Sequence, residues 1–98
     1  MRPRKFRKTN FSPSVTYFKP QGIPMRLLKQ VVLEYDEVEA LRLKNIEGLD
    51  QTSSAERMGI SQSTFQRILD SANKKISIAI IEGHAIKINL EKEENEKN

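Results

Sequence analysis

The sequence predicts a mainly α, three-helix helix-turn-helix domain with short flanking β-strands. Its 98 residues suffice for a single domain. Apolar residues recur at helical spacing in the middle of the chain, and a three-residue connection containing glycine joins two of the predicted helices. We expect a flexible basic arm over residues 1–12, the helix-turn-helix domain over residues 13–90 and a disordered acidic tail over residues 91–98.

Short β-type runs flank the predicted helices. Residues 15–18 and 31–33 are rich in β-branched, aromatic and other apolar side chains, and residues 85–90 alternate imperfectly between apolar and polar types. A lone strand leaves its backbone groups unpaired. We therefore expect residues 85–89 to pair with residues near 31–33 or 15–18.

The first helix is predicted to begin near Asp36 and to stop at Gly48. Asp36, Glu37 and Glu39 fall at its start, where carboxylates favour the positive end of the helix dipole. Its apolar residues spread around much of the circumference, which is typical of a helix contacted on several sides. Those residues are Val38, Ala40, Leu41, Leu43 and Ile46.

The second helix is predicted over about residues 51–58, with Gly59 in the left-handed conformation that ends many helices. The third starts after Ser61, a favourable N-cap, and extends to Glu82 before Gly83. Seven apolar residues share about one third of its circumference, which indicates one buried stripe. They are Phe65, Ile68, Leu69, Ala72, Ile76, Ala79 and Ile80.

The segment from Gln51 onward follows the pattern of a helix-turn-helix. Ala55 is the small residue expected where the two helices touch, and Gly59 lies in the turn. Apolar residues occupy the four expected core positions, and only Ser54 is less apolar than the pattern requires. The four are Met58, Ile60, Phe65 and Ile68. The alternative is a three-helix bundle whose glycine turn is accidental.

Positive charge is concentrated at the start of the chain. The formal net charge is +4, yet residues 1–30 hold eight basic residues and no acid, whereas residues 31–90 and 91–98 are each slightly acidic. Such a distribution favours a polyanionic partner, with nucleic acid ahead of an anionic membrane. Five basic residues of the arm are the candidate contacts to the DNA backbone: Arg2, Arg4, Lys5, Arg7 and Lys8.

Polar residues lie opposite the apolar stripe of the third helix. Gln62, Ser63, Gln66 and Arg67, near its N-terminus, are the candidate readers of base edges, because recognition helices enter the major groove by that end. The candidate backbone contacts on this helix are Thr64, Ser71 and Lys74. The alternative is an ordinary solvated face, and Asp70 on the same side disfavours phosphate contact.

An enzyme is not expected. The single histidine, His84, lies in a Gly-His-Ala turn, and the chain has no nucleophile motif and no glycine-rich phosphate loop. The acids Asp36, Glu37 and Glu39 are explained by helix-dipole stabilisation. With zero cysteines there is no thiolate metal site. We therefore expect neither a metal nor a cofactor.

Two other binding functions stay open. A helix-turn-helix scaffold can bind proteins, and the apolar first helix could contribute to a homodimer. Phe6, Phe11, Tyr17 and Phe18 lie among basic residues and could stack on unpaired RNA bases, although Tyr17 and Phe18 also suit a strand that covers the core.

No apolar run approaches the roughly 18 residues that a membrane-spanning helix needs. The basic start has no apolar stretch behind it, so a secretory signal peptide is not expected. The absence of cysteine is compatible with a reducing compartment, and we expect a cytoplasmic location.

A series of short motifs carries a family resemblance across nearly the whole chain. They are Phe18-Lys19-Pro20, Gly22-Ile23-Pro24, Asp36-Glu37-Val38-Glu39-Ala40-Leu41-Arg42-Leu43, Glu47-Gly48, Ala55-Glu56-Arg57-Met58-Gly59-Ile60-Ser61, Thr64-Phe65, Arg67-Ile68-Leu69 and Gly83. In these motifs the chain resembles a small prokaryotic family of predicted DNA-binding proteins, domain of unknown function 134, whose helix-turn-helix is similar to sigma-factor region 4.

The resemblance implies sequence-specific binding of duplex DNA and regulation of transcription, with no target sequence attached. The chain departs from the family twice. Cysteines that members often carry near the N-terminus are absent, and Gln62 stands after the turn serine where many members have arginine. From the residues and the resemblance together, we expect a cytoplasmic DNA-binding regulator that works as a homodimer.

Overall fold

The computed structural model describes residues 13–90. Within them it contains three α-helices and three short strands, which confirms a mainly α fold with flanking strands. The elements are β1 (Tyr17–Phe18), β2 (Gln30–Leu33), α1 (Tyr35–Leu41), α2 (Gln51–Met58), α3 (Gln62–Glu82) and β3 (Ala85–Ile88). The basic arm, 1–12, and the acidic tail, 91–98, lie outside the described residues, so both assignments stay predictions.

The three strands form one mixed sheet in the order β1-β3-β2. β3 pairs antiparallel with β1, placing Tyr17 opposite Lys87, and parallel with β2, placing Val31 opposite Ile86. The pairing predicted for residues 85–89 is confirmed, and β3 contacts both candidate partners at once. The sheet therefore ties the start and the end of the domain together.

α1 begins at Tyr35, one residue earlier than predicted, because Glu34 and Glu37 form a capping box. The backbone N–H of Glu34 donates to Oε1 of Glu37 over 2.8 Å. After Leu41 the chain widens into a π-helical segment, Arg42–Ile46, in which the N–H of Glu47 donates to the carbonyl of Arg42 over 2.9 Å. The sequence pattern gives no sign of this wider turn.

α2 and α3 have the predicted bounds because each end has a local cap. Asp50 accepts from the N–H of Ser53 before α2, and Ser61 accepts from the N–H of Thr64 before α3, over 2.8 Å and 3.1 Å. Gly59 ends α2 with φ +71°, a left-handed conformation that favours glycine. The α2–turn–α3 unit that the sequence predicts is therefore present.

The core lies where the three helices meet. Ala40 of α1, Ala55 of α2, and Phe65 and Leu69 of α3 are buried together. Partly buried side chains pack around them: Leu41, Met58, Ile60 and Ile68. Ser54 is fully buried as well, and its hydroxyl has no hydrogen-bond partner. The position that fits the helix-turn-helix pattern least well is thus a core position.

The prediction that Ile80 belongs to the buried stripe of α3 is wrong, because its side chain is 71% exposed. α2 is eight residues long and is joined to the start of α3 by a three-residue turn. α2 packs against Phe65 and Leu69, in the first half of α3. The flank of α3 that carries Ile80, in its last turns, is left uncovered.

Candidate nucleic-acid interface

The N-terminus of α3 is held against the N-terminus of α2. Nε2 of Gln51, the first residue of α2, donates to the backbone carbonyl of Gln62, the first residue of α3, over 3.2 Å. The Ser61 hydroxyl both caps α3 and donates to Oγ1 of Thr64 over 2.9 Å. These bonds fix the end of α3 that was predicted to approach DNA.

The four predicted base readers lie on one face at this end of α3, which we call the reading face: Gln62, Ser63, Gln66 and Arg67. Residues four apart lie one turn apart on the same side of a helix, so Gln62 neighbours Gln66 and Ser63 neighbours Arg67. Gln62, Ser63 and Arg67 are exposed, and Gln66 is half-buried. The structure therefore brings these four side chains together on the surface.

The predicted backbone contacts on α3 are placed differently from one another. Lys74 is exposed. Thr64 is half-buried, and its Oγ1 accepts from Ser61. Ser71 donates its hydroxyl to Oε2 of Glu37 over 2.5 Å, so the expectation that it lies on the exposed side is wrong. The physical reason is that α1 packs along this flank of α3.

Glu37 is the centre of a partly buried polar network behind the reading face. Its carboxylate accepts from Ser71, from the N–H of Glu34 and from Nζ of Lys75 over 2.8 Å. Lys75 also donates to the carbonyl of Val32 over 2.6 Å. The network joins β2, the start of α1 and the middle of α3, and thereby sets the rotation of α3.

Burial by itself raises the pKa of the Glu37 carboxyl, but hydrogen bonds from Lys75, Ser71 and the Glu34 N–H outweigh it. The net effect is a pKa below the ordinary value of 4.5. Glu37 is therefore ionised at neutral pH, and the positive charge of Lys75, its ion-pair partner, lies within the same network.

Sequence reasoning did not assign roles to two residues of this surface. Gln51 holds the ends of α2 and α3 together, and no local pattern marks it. Asp70 accepts a hydrogen bond from Nε2 of Gln66 over 2.8 Å. The four-residue spacing of Gln66 and Asp70 on a helix is a signal that could have found this pair.

A second surface feature is an apolar groove of about 760 Å³ between the sheet, α1 and α3. Its floor contains Leu33, Ile76 and Ile88. At its edge, the side chains of Phe18 and Ile46 are 52% and 78% exposed. Tyr17 and Phe18 were expected to lie in a strand that covers the core, and about half of each side chain is exposed.

Residues 13–90 contain no group of three histidine, aspartate or glutamate side chains close enough to hold a metal ion. No helix in this part of the chain is long and apolar enough to cross a membrane. His84 lies after α3, where its Nε2 is 3.3 Å from a carboxylate oxygen of Glu82.

Comparison with known families matches residues 1–95 to the family described as "Protein of unknown function DUF134". The chain belongs to this family. A protein of Desulforudis audaxviator named "UPF0251 protein" is 55% identical over 87 residues, 89% of this chain and 57% of its own length. Proteins of the same name from Clostridium botulinum and Moorella thermoacetica are 54% and 51% identical, again over 89% of this chain.

The chain thus spans only 55–58% of the length of these relatives. No solved structure matches it.

Proposed function

We propose that this chain binds duplex DNA in a sequence-specific manner and regulates transcription in the cytoplasm of a prokaryotic cell. The observation that carries the proposal is the reading face, where Gln62, Ser63 and Arg67 project from the capped end of α3. They are exposed, while the opposite side of the same helix is packed into the core. A reading face needs this combination, because a side chain discriminates bases only when its backbone is fixed.

The side chains on the reading face match the chemistry of the major groove. Arginine can donate two hydrogen bonds to O6 and N7 of guanine, and glutamine can bond N6 and N7 of adenine. Ser63 can donate or accept. Lys74, one turn beyond Ser71, and the five basic residues of the arm supply charge for phosphates, which position a protein without reading sequence.

A homodimer belongs to the same proposal. A two-fold symmetric dimer would place two reading faces on successive half-sites, and the bound sequence would then be palindromic. The spacing of the half-sites reports the separation of the two copies of α3.

A second candidate function, protein binding, is favoured by the apolar groove. Its lining includes the side chains of Phe18 and Ile46, which are 52% and 78% exposed, and exposed apolar patches often mark interaction surfaces. The groove and the reading face are built from different residues, so variants can separate the two functions.

The test is selection of bound fragments from a pool of random duplex DNA, read by sequencing. We expect an enriched consensus with wild-type protein, and Arg67→Ala should lose preference at one base pair while weakening specific binding by about 1–3 kcal/mol. The matched control is Lys87→Ala, which removes an exposed positive charge from β3. Absence of any consensus would contradict the proposal, as would equal effects of the two variants.

A further inference from the structure

The structure fixes which end of the Gln66 carboxamide points along the helix. Nε2 of Gln66 is 2.8 Å from Oδ1 of Asp70, one turn further along α3. An ionised carboxylate can only accept hydrogen bonds, so the group that faces it must be the amide NH₂ and not the carbonyl oxygen. The usual ambiguity between the two ends of a glutamine side chain is removed here by chemistry.

This orientation leaves Gln66 with one acceptor and one donor for a ligand. Its Oε1 and its second N–H stay unused by Asp70, since the bond to Asp70 takes a single N–H. Adenine presents one donor, N6–H, and one acceptor, N7, side by side in the major groove. A carboxamide that is held in place offers the complementary pair without first losing rotational freedom.

The charge of Asp70 needs an explanation on a surface proposed to bind a polyanion. An exposed carboxylate beside the reading face repels phosphates and weakens binding to every sequence alike. A glutamine–aspartate pair one turn apart stabilises a helix slightly, but it could do so on any exposed face. Holding a reader of bases gives the acid a role that depends on this position.

We propose that Asp70 is a positioning residue for Gln66, and that the oriented carboxamide selects adenine at one base pair of the bound DNA. This inference rests on the proposed function, and it goes further by naming the base and the residue that sets its selection. Asp70 itself does not contact the base. Its carboxylate acts through Gln66 and also lowers the affinity for unrelated sequences.

Two substitutions at the same position separate orientation from charge. Asp70→Ala removes both the acceptor and the charge, whereas Asp70→Asn keeps an acceptor oxygen at the same distance and removes only the charge. The measurement is the affinity of each variant for the selected duplex, for duplexes changed at the base pair affected by Gln66→Ala, and for a scrambled duplex.

We expect Gln66→Ala to lower adenine preference at one base pair by about tenfold, in the range of a bidentate contact. Asp70→Ala should lower the same preference by a similar factor, and the double variant should lose little more than either single variant. Asp70→Asn should retain the preference. Both Asp70 variants should bind the scrambled duplex more tightly than wild type.

The outcomes that overturn the inference differ from those that overturn the proposed function. If wild-type protein selects no sequence, the proposed function fails and the inference fails with it. If wild-type protein is sequence-specific but Asp70→Ala keeps full preference, only the inference fails. The side-chain ¹⁵N–¹H₂ resonances of Gln66 in the free protein give a second readout, since they should shift in Asp70→Ala, and unchanged resonances would also overturn the inference.

Discussion

Replacement of Glu37 by glutamine perturbs the polar network that joins β2, the start of α1 and the middle of α3. The carboxylate of Glu37 accepts hydrogen bonds from the N–H of Glu34, from Ser71 and from Lys75. Glutamine has nearly the same size, and its oxygen can take the place of Oε1, which accepts from both the Glu34 N–H and Lys75. Its NH₂ then faces the Ser71 hydroxyl in place of an acceptor oxygen, and Lys75 loses its opposite charge.

The expected loss is about 2–3 kcal/mol of unfolding free energy. Breaking a fully buried ion pair costs about 3–5 kcal/mol, and a hydrogen bond to a charged group contributes about 1.5–3 kcal/mol. The Glu37 side chain is only 9% exposed, but that of Lys75 is 31% exposed. Lys75 can therefore recover part of its hydration, which places the cost at or just below the lower end of the range for a fully buried pair.

Urea unfolding followed by circular dichroism measures this loss, with Glu56→Gln as the matched control. Glu56 is exposed on α2, so its replacement should change stability by less than about 0.5 kcal/mol. Lys75→Met should also destabilise, and the double variant should lose less than the sum of the single losses. Equal stabilities of the two glutamine variants, or strict additivity with Lys75→Met, would refute the reasoning.

The same network predicts how stability depends on pH. Because the pKa of Glu37 in the folded protein lies below its ordinary value of 4.5, the unfolded chain binds the proton more readily. The contribution of Glu37 is therefore present above about pH 4.5 and is lost as the pH falls through the folded pKa. As the pH falls from neutral to below the ordinary value of 4.5, the wild type should lose more stability than Glu37→Gln. Parallel pH profiles would contradict this assignment.

Three further predictions concern the core and the arm. Phe65→Ala should cost about 3–5 kcal/mol in the same urea assay, because Phe65 is fully buried among the three helices; an unchanged unfolding midpoint would contradict its place in the core. Ser54→Ala should leave stability unchanged or raise it by about 1 kcal/mol, since the buried hydroxyl has no partner, and a clear loss would show that the hydroxyl is bonded. Deletion of residues 2–8 should flatten the slope of log affinity for DNA against log salt concentration by about 2.7, if roughly three of the arm's charges contact phosphates. Equal slopes for the full-length and truncated proteins would mean that the arm does not touch DNA.

The parts of the fold that depend on local chemistry could be predicted from the sequence. Ser61 and Gly59 act through their own backbone conformation and near neighbours, so α2 and α3 have the expected bounds. The strand at residues 85–88 was predictable from its alternating side chains, and its pairing was predictable because the backbone groups of a strand require a partner. Which strand would lie in the middle, and that the sheet would be mixed, depends on contacts between distant segments and has no local signal.

The errors on α3 have one physical cause. A helical pattern shows which residues share a side, but not which flanks the neighbouring helices cover. α1 covers the flank of Ser71, and no helix in the described part covers the flank of Ile80. The pairing of Glu37 with Lys75 was missed for the same reason, because the two residues are 38 positions apart.

The central claim is that the reading face of α3 contacts duplex DNA, and amide NMR tests it most directly. ¹⁵N-labelled full-length protein is titrated with short duplex DNA of random sequence at low ionic strength, where non-specific binding is strong enough to observe. We predict chemical-shift changes in the basic arm and, within residues 13–90, changes concentrated between Ser61 and Asp70, all reversed by added salt. Changes confined to residues of the apolar groove, or no changes at all, would contradict the claim.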